Sequence, residues 1–131
     1  MDPNLFDSLV REGYTFFTGV PDSALKQFQD DIINSGLRHV IATNEGQAIG
    51  IAVGAELAGE KACVYLQNSG LGNIINPVTS LCIPYGILPC LVIGHRHTLP
   101  QHRIMGETDE KLLQLIGYTN YTIVKGGNNV N

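Results

Sequence analysis

The feature that most constrains this chain is the way its apolar residues switch period, from helix-like to strand-like and back, along the whole length. Leu5, Phe6, Leu9 and Val10 share one face of a helix that Pro3 opens and Gly13 stops, and Tyr14 to Thr18 reads as a short buried strand. The turn Gly19-Val20-Pro21-Asp22-Ser23 caps a second helix with Leu25, Phe28, Ile32 and Ile33 inward and Gly36 at its end. His39 to Ala42 reads as a strand, Glu45 to Ala58 as a helix, and Ala62 to Leu66 as a strand running into the loop Gln67 to Asn73. A helical stretch from Ile74 to Leu81 leads to Pro84, and the wholly apolar Ile87 to Ile93 is the candidate for the centre of a sheet. Thr108 caps a helix that ends at Ile116, with Leu112, Leu113 and Ile116 inward. Tyr121 to Val124 is the last strand, and the tail from Gly126 to Asn131 is polar and loose.

Strict alternation of helix and strand implies an α/β fold, a parallel sheet with helices on both faces. With 131 residues, no repeat and no linker, one domain spans residues 1–131. In such sheets ligands meet the loops at the carboxyl ends of the strands. Four segments then converge on one edge: Gly19 to Asp22, Thr43 to Glu45, Asn68 to Asn73, and Gly94 to His102.

Composition removes several function classes. Net charge is -4 with no basic stripe, which argues against a nucleic-acid reader. The stretch Leu81 to Gly94 is broken by Pro84 and Pro89 and is too short to span a bilayer. The amino terminus lacks the basic-then-apolar pattern of a signal peptide, and Cys63, Cys82 and Cys90 read as reduced core thiols. Together these point to a cytoplasmic protein without a membrane partner. No spacing suggests a metal site built by this chain alone. Only 15% of residues are charged, against about 25% in ordinary soluble domains, which suggests surface buried against a partner.

Three groups could carry chemistry. Glu45 starts a helix that is almost uncharged for its next ten residues. It is either a first-turn carboxylate favouring the helix dipole, by about 0.3–1 kcal/mol, or an acid held against apolar surroundings for proton transfer. Gly50, Gly54 and Ala58 recur every four residues on that helix, for close packing either within the domain or against a subunit. The segment His95 to Arg103 gathers three of the four histidines and two of the eight Lys and Arg. Such a cationic group in an acidic chain is either a solvated loop or a site for a small anion. The Gly70-x-Gly72 pair invites a dinucleotide reading, but Ile75 stands where the third glycine belongs.

Thr18-Gly19-Val20-Pro21-Asp22-Ser23, Asn44-Glu45-Gly46-x-Ala48, Gln67-Asn68-Ser69-Gly70-Leu71-Gly72-Asn73 and Asn76-Pro77-x-Thr79-Ser80-Leu81 occur in that order. With Gly94-x-Arg96 and Pro100-Gln101-His102 they resemble the thiamin diphosphate-dependent phosphonopyruvate and sulfopyruvate decarboxylases, in their pyrimidine-binding (PYR) domain or alpha subunit. The resemblance implies that Glu45 hydrogen-bonds N1' of the aminopyrimidine, favouring the tautomer that takes the proton from the thiazolium carbon. It implies catalytic roles for Asp22 and His102 in proton transfer, and substrate binding by Arg96, His95 and His102. Gly19, Pro21, Asn68, Gly70 and Asn73 fall in the matching cofactor-binding segments. No Gly-Asp-Gly motif with a downstream Asn is present, so the resemblance implies that the diphosphate and Mg2+ are held by a pyrophosphate-binding (PP) domain, either a separate beta subunit or the remainder of a longer chain. The expectation is thus half of a decarboxylase, in a dimer or higher hetero-oligomer, acting on a small anionic 2-oxo acid. Its rival is a PYR-like module that assembles or regulates without turnover. His97 stands where the family has glycine, the loop from Gly94 to Pro100 is short, and Glu107 replaces an expected arginine; these departures bear on substrate identity more than on cofactor use.

Overall fold

Apolar runs without polar alternation form strands covered on both faces. Two such runs, Ala62–Gln67 (β3) and Cys90–His95 (β4), are buried along their first five residues. The computed structural model describes residues 4–125. Pro3 and the tail from Gly126 to Asn131 lie outside the described residues. Phe16–Gly19 (β1), Arg38–Ile41 (β2) and Tyr121–Lys125 (β5) complete a five-stranded sheet of order β2-β1-β3-β4-β5, and every neighbouring pair is parallel.

β3, not the segment from Ile87, is the central strand. Apolarity reports that a strand is covered on both faces, and β3 and β4 are covered equally, so it cannot rank them. β4 also starts later than expected, at Cys90. Pro89 has no N–H for the ladder, and the Leu88 and Pro89 carbonyls are taken by Asn120 Nδ2 and the Tyr118 hydroxyl.

Successive strand residues point to opposite faces, which divides the core in two. Leu5–Arg11 (α1) and Lys26–Ser35 (α2), with the 3-10 turn Ser23–Leu25 before α2, cover one face. There Phe6, Phe17, Phe28 and Ile32 pack on Cys63, Tyr65 and Val92. Glu45–Leu57 (α3) and Pro100–Ile116 (α6) cover the other, where Ile49, Val53 and Leu113 meet Val64, Leu66, Leu91 and Ile93. Each of these buried aliphatics contributes about 1.5–3 kcal/mol. A 3-10 run over Asn68–Ile74, then Ile75–Pro77 (α4), a π-helical turn Val78–Cys82 and Ile83–Tyr85 (α5), form an irregular helix on that second face. The three thiols are free and buried, as expected.

Other boundaries moved for local reasons. Asn4 caps α1, its side chain accepting from Asp7 N. Val10 is 41% and Ile33 64% exposed, because residues adjacent in a helix lie about 100° apart and Leu9 and Ile32 already take the inward positions. The last helix begins eight residues before Thr108, at Pro100. Proline at the first helical position has its φ preset and no N–H to leave unpaired, so four of the nine residues of the polar segment, Pro100 to Arg103, are helix. Gly36 ends α2 in the left-handed region at φ 75, as its place in the sequence suggested. Among the described residues no helix is long and apolar enough to cross a membrane.

Candidate active site at the carboxyl edge of the sheet

The strand ends bring the singled-out segments to one edge, and close backbone approaches explain the glycines there. A Cβ at Gly19, the last residue of β1, would fall 2.1 Å from the Tyr65 carbonyl oxygen, so only glycine lets β1 leave the sheet beside β3. After Pro21, Asp22 caps the following 3-10 turn, its Oδ2 accepting from Ala24 N at 3.2 Å. Asp22 Oδ1 also accepts from Arg96, with Nη2 at 3.0 Å and Nε at 3.3 Å; Arg96 Nη2 donates to Ser23 Oγ as well. Both side chains are largely buried, at 7% and 13% exposure. Gly94 makes room for this pair, since a Cβ there would meet Asp22 Oδ2 at 2.8 Å.

Glu45 lies in the first turn of α3, which is held by its cap. Asn44 Oδ1 accepts from Gln47 N at 2.8 Å, and Gln47 Oε1 reaches back to Thr43 N at 2.6 Å, a reciprocal arrangement close to a capping box. Glu45 Oε1 accepts from Asn73 Nδ2 at 2.8 Å. The carboxylate lies against Gly70, where an added Cβ would come within 2.5 Å of Glu45 Cδ and Oε2. Oε2 has no hydrogen bond to a described residue, so one carboxylate oxygen of this partly buried residue is left to meet a ligand. An acid with one oxygen tethered and one free, on a glycine-cleared floor, suits a heterocyclic nitrogen that shares a proton. The aminopyrimidine of thiamin diphosphate is such a group.

Asn68 is fully buried just beyond β3. Its Nδ2 donates to Arg96 O at 2.9 Å and to Asp109 Oδ2 at 3.0 Å, while its Oδ1 is buried without a partner. Asp109 Oδ2 also lies 2.7 Å from His95 Nδ1. His97 stacks near His95, ring centroids 6.1 Å apart, and its Nε2 lies 3.4 Å from Glu107 Oε1. His102, half-buried, is in the first turn of α6, its backbone N–H donating to Leu99 O at 2.9 Å. Among the described residues no group of three or more His, Cys, Asp or Glu side chains could hold a metal ion.

Two working residues were not singled out from sequence. Ser23 shares Arg96 with Asp22, and Asp109 ties His95 to Asn68. Asp109 did leave a trace: it lies four residues from both Met105 and Leu113, so a charge falls on the apolar face of α6. Gly50 and Gly54 face open space, since a Cβ at either would meet nothing within 4 Å. Packing within the domain therefore does not use that stripe.

Residues 3–113 match the family described as thiamine pyrophosphate enzyme, N-terminal TPP binding domain. The chain is 39% identical over 120 residues to a phosphonopyruvate decarboxylase of Streptomyces viridochromogenes, covering 86% of this chain and 30% of that protein. It is 33% identical over 117 residues to a sulfopyruvate decarboxylase subunit alpha of Methanococcus maripaludis, covering 86% of this chain and 70% of the relative. Against the corresponding subunit of Methanocaldococcus jannaschii the figures are 35% over 122 residues, 89% and 72%. The chain thus spans less than a third of the phosphonopyruvate enzyme and about 70% of the alpha subunits. On the family match and on identities above 30% across most of its length, it belongs to the thiamine pyrophosphate enzymes, as their N-terminal TPP-binding domain.

Proposed function

We propose that this chain is the PYR-type alpha subunit of a decarboxylase acting on an anionic 3-substituted pyruvate, converting sulfopyruvate to sulfoacetaldehyde and CO2 or phosphonopyruvate to phosphonoacetaldehyde and CO2. The observation that carries the reading is the Glu45 carboxylate, tethered through Oε1 to Asn73 and left open at Oε2 over Gly70.

Thiamin diphosphate, when bound, supplies the electron sink that loss of CO2 from a 2-oxo acid requires. Glu45 holds or releases a proton at Oε2 toward the aminopyrimidine. Asn73 keeps the carboxylate in place, and Gly70 allows it to lie flat against the loop. Gly19, Pro21 and Asn68 shape the edge that receives the cofactor. Asp22 and His102 serve proton transfer around the substrate, and Arg96, His95 and His102 take its anionic group. Arg96 brings its charge already balanced by Asp22, so donors from the histidines complete recognition of the anion. Pairing of this kind favours orientation over raw attraction.

The diphosphate and Mg2+ fall to the PP domain of a partner beta subunit, in a dimer or larger hetero-oligomer in the cytoplasm. Two relatives are themselves named subunit alpha, and the open Gly50–Gly54 face of α3 offers a surface for close contact. The test is CO2 release from sulfopyruvate and from phosphonopyruvate with thiamin diphosphate and Mg2+, by this chain alone and with a PP-type subunit. Activity in the mixture alone is the expected result. A well-formed complex silent on both substrates would overturn it in favour of a non-catalytic PYR-like assembly module.

A further inference from the structure

Asp109 is a buried carboxylate, its side chain 5% exposed, on the face of α6 that otherwise packs apolar residues into the core. Removing a charge from water at such a place is costly unless it is fully hydrogen-bonded. Asp109 is so bonded, and its partners belong to the candidate site. Oδ1 accepts from Glu110 N at 2.7 Å, and Oδ2 accepts from Asn68 Nδ2 at 3.0 Å and faces His95 Nδ1 at 2.7 Å. Asn68 extends the network to the backbone carbonyl of Arg96. One carboxylate therefore holds a side chain just after β3 and the last residue of β4 directly, and reaches the backbone of Arg96 through Asn68.

A carboxylate has no proton to give an imidazole nitrogen when ionised, so the His95 nitrogen facing it is the one that carries hydrogen. That assigns the neutral ring a single tautomer, Nδ1–H, with the lone pair at Nε2. Nε2 makes no hydrogen bond to a described residue, and the side chain is 18% exposed. A ring with one nitrogen locked and the other open can accept a proton at Nε2, and in the cationic form can donate it to an anion while Asp109 balances the charge.

We infer that Asp109 is a positioning residue that locks His95 in the Nδ1–H tautomer and thereby presents Nε2 to the anionic group of the substrate. The inference rests on the decarboxylase reading, but its first test does not need turnover. In the chain labelled with 15N at histidine, the ring nitrogen shifts of His95 should report Nδ1–H in the wild type. Asp109→Asn, nearly isosteric, should disturb that tautomer, and Asp109→Glu should restore it at least in part. In the assembled enzyme Asp109→Asn should lower kcat/KM about 10- to 100-fold, the range seen when a partner that orients a metal-bound histidine is removed. His95→Gln combined with Asp109→Asn should be no worse than His95→Gln alone, because the two residues act as one unit.

An Nε2–H tautomer in the wild type would overturn the inference without needing any variant to fold. So would an unchanged His95 signal in a folded Asp109→Asn chain, or losses that multiply in the double variant, which would mark a merely structural carboxylate. Correct tautomer behaviour in a complex that releases no CO2 from either substrate would instead refute the decarboxylase reading and leave the locked ring standing.

Discussion

Asp22 Oδ1 and Arg96 Nη2 lie 3.0 Å apart although 74 residues separate them in the chain. Asp22 stands just past β1 and Arg96 just past β4, two strands with β3 between them. The pair thus staples the loop edge on the face covered by α2. Asn68 and Asp109 do the same on the face covered by α6, and Glu45 with Asn73 joins the α3 start to the loop after β3.

Arg96→Ala should destabilise the chain by about 3 kcal/mol, because it leaves the Asp22 carboxylate with little water and no counter-charge. Asp22→Asn together with Arg96→Gln should recover part of that loss. Urea unfolding of Asp22→Asn, of Arg96→Gln and of the double variant measures the coupling, which should exceed about 1 kcal/mol; purely additive losses would mean the pair contributes nothing. If Arg96 also binds substrate, the double variant should keep a raised KM after its stability returns.

Glu45→Gln should lower CO2 release in the assembled complex by at least about 100-fold, the lower end of what positioned proton transfer contributes. The Asn73 hydrogen bond can persist, so Tm should change little. Turnover near that of the wild type would remove Glu45 from the chemistry.

Gly70→Ala and Gly19→Ala separate local from global crowding. At Gly70 the new methyl group meets the Glu45 side chain, which can swing aside; the chain should stay folded while activity falls with the displaced carboxylate. At Gly19 it meets the Tyr65 carbonyl at 2.1 Å, backbone that cannot yield without pulling β1 from β3, so the melting temperature should drop. Equal thermal losses in both would contradict this assignment.

Gly50→Ala and Gly54→Ala fill open space on α3 and remove the glycine penalty of about 1 kcal/mol per position within a helix. The isolated chain should gain stability. If this face carries the partner subunit, association measured by analytical ultracentrifugation should weaken in the same variants. Unchanged assembly would move the interface elsewhere.

His39 Nε2 lies 2.7 Å from the Tyr65 hydroxyl. Burial holds the His39 imidazole below its ordinary value, and burial pushes the Tyr65 phenol up to about 12, so tyrosine donates and neutral histidine accepts. The unfolded chain takes up a proton here near pH 6.5 while the folded chain resists it. The stability this group contributes is therefore complete above about pH 6.5 and is lost as pH falls through the lower folded value. Between pH 7 and 5.5 the wild type should lose more Tm than His39→Gln; parallel losses would show that His39 does not supply the pH dependence.

The class of fold, the order of helices and strands, and the edge at which polar segments meet are written in the local sequence. Those follow from period, from glycine and proline at element ends, and from chirality, all of which act over a few residues. Glu45 was legible too, as a lone carboxylate at the head of an apolar helix after a strand. Which strand is central, how far α6 reaches back toward Pro100, and which charges are partners depend on packing between distant segments. β3 and β4 are equally apolar, so their rank depends on pairing between distant segments. The same holds for Asp22 with Arg96 and Asp109 with His95. A side chain's partner is set by where the sheet places two strand ends, and residues 74 or 14 positions apart carry no local signal of that distance.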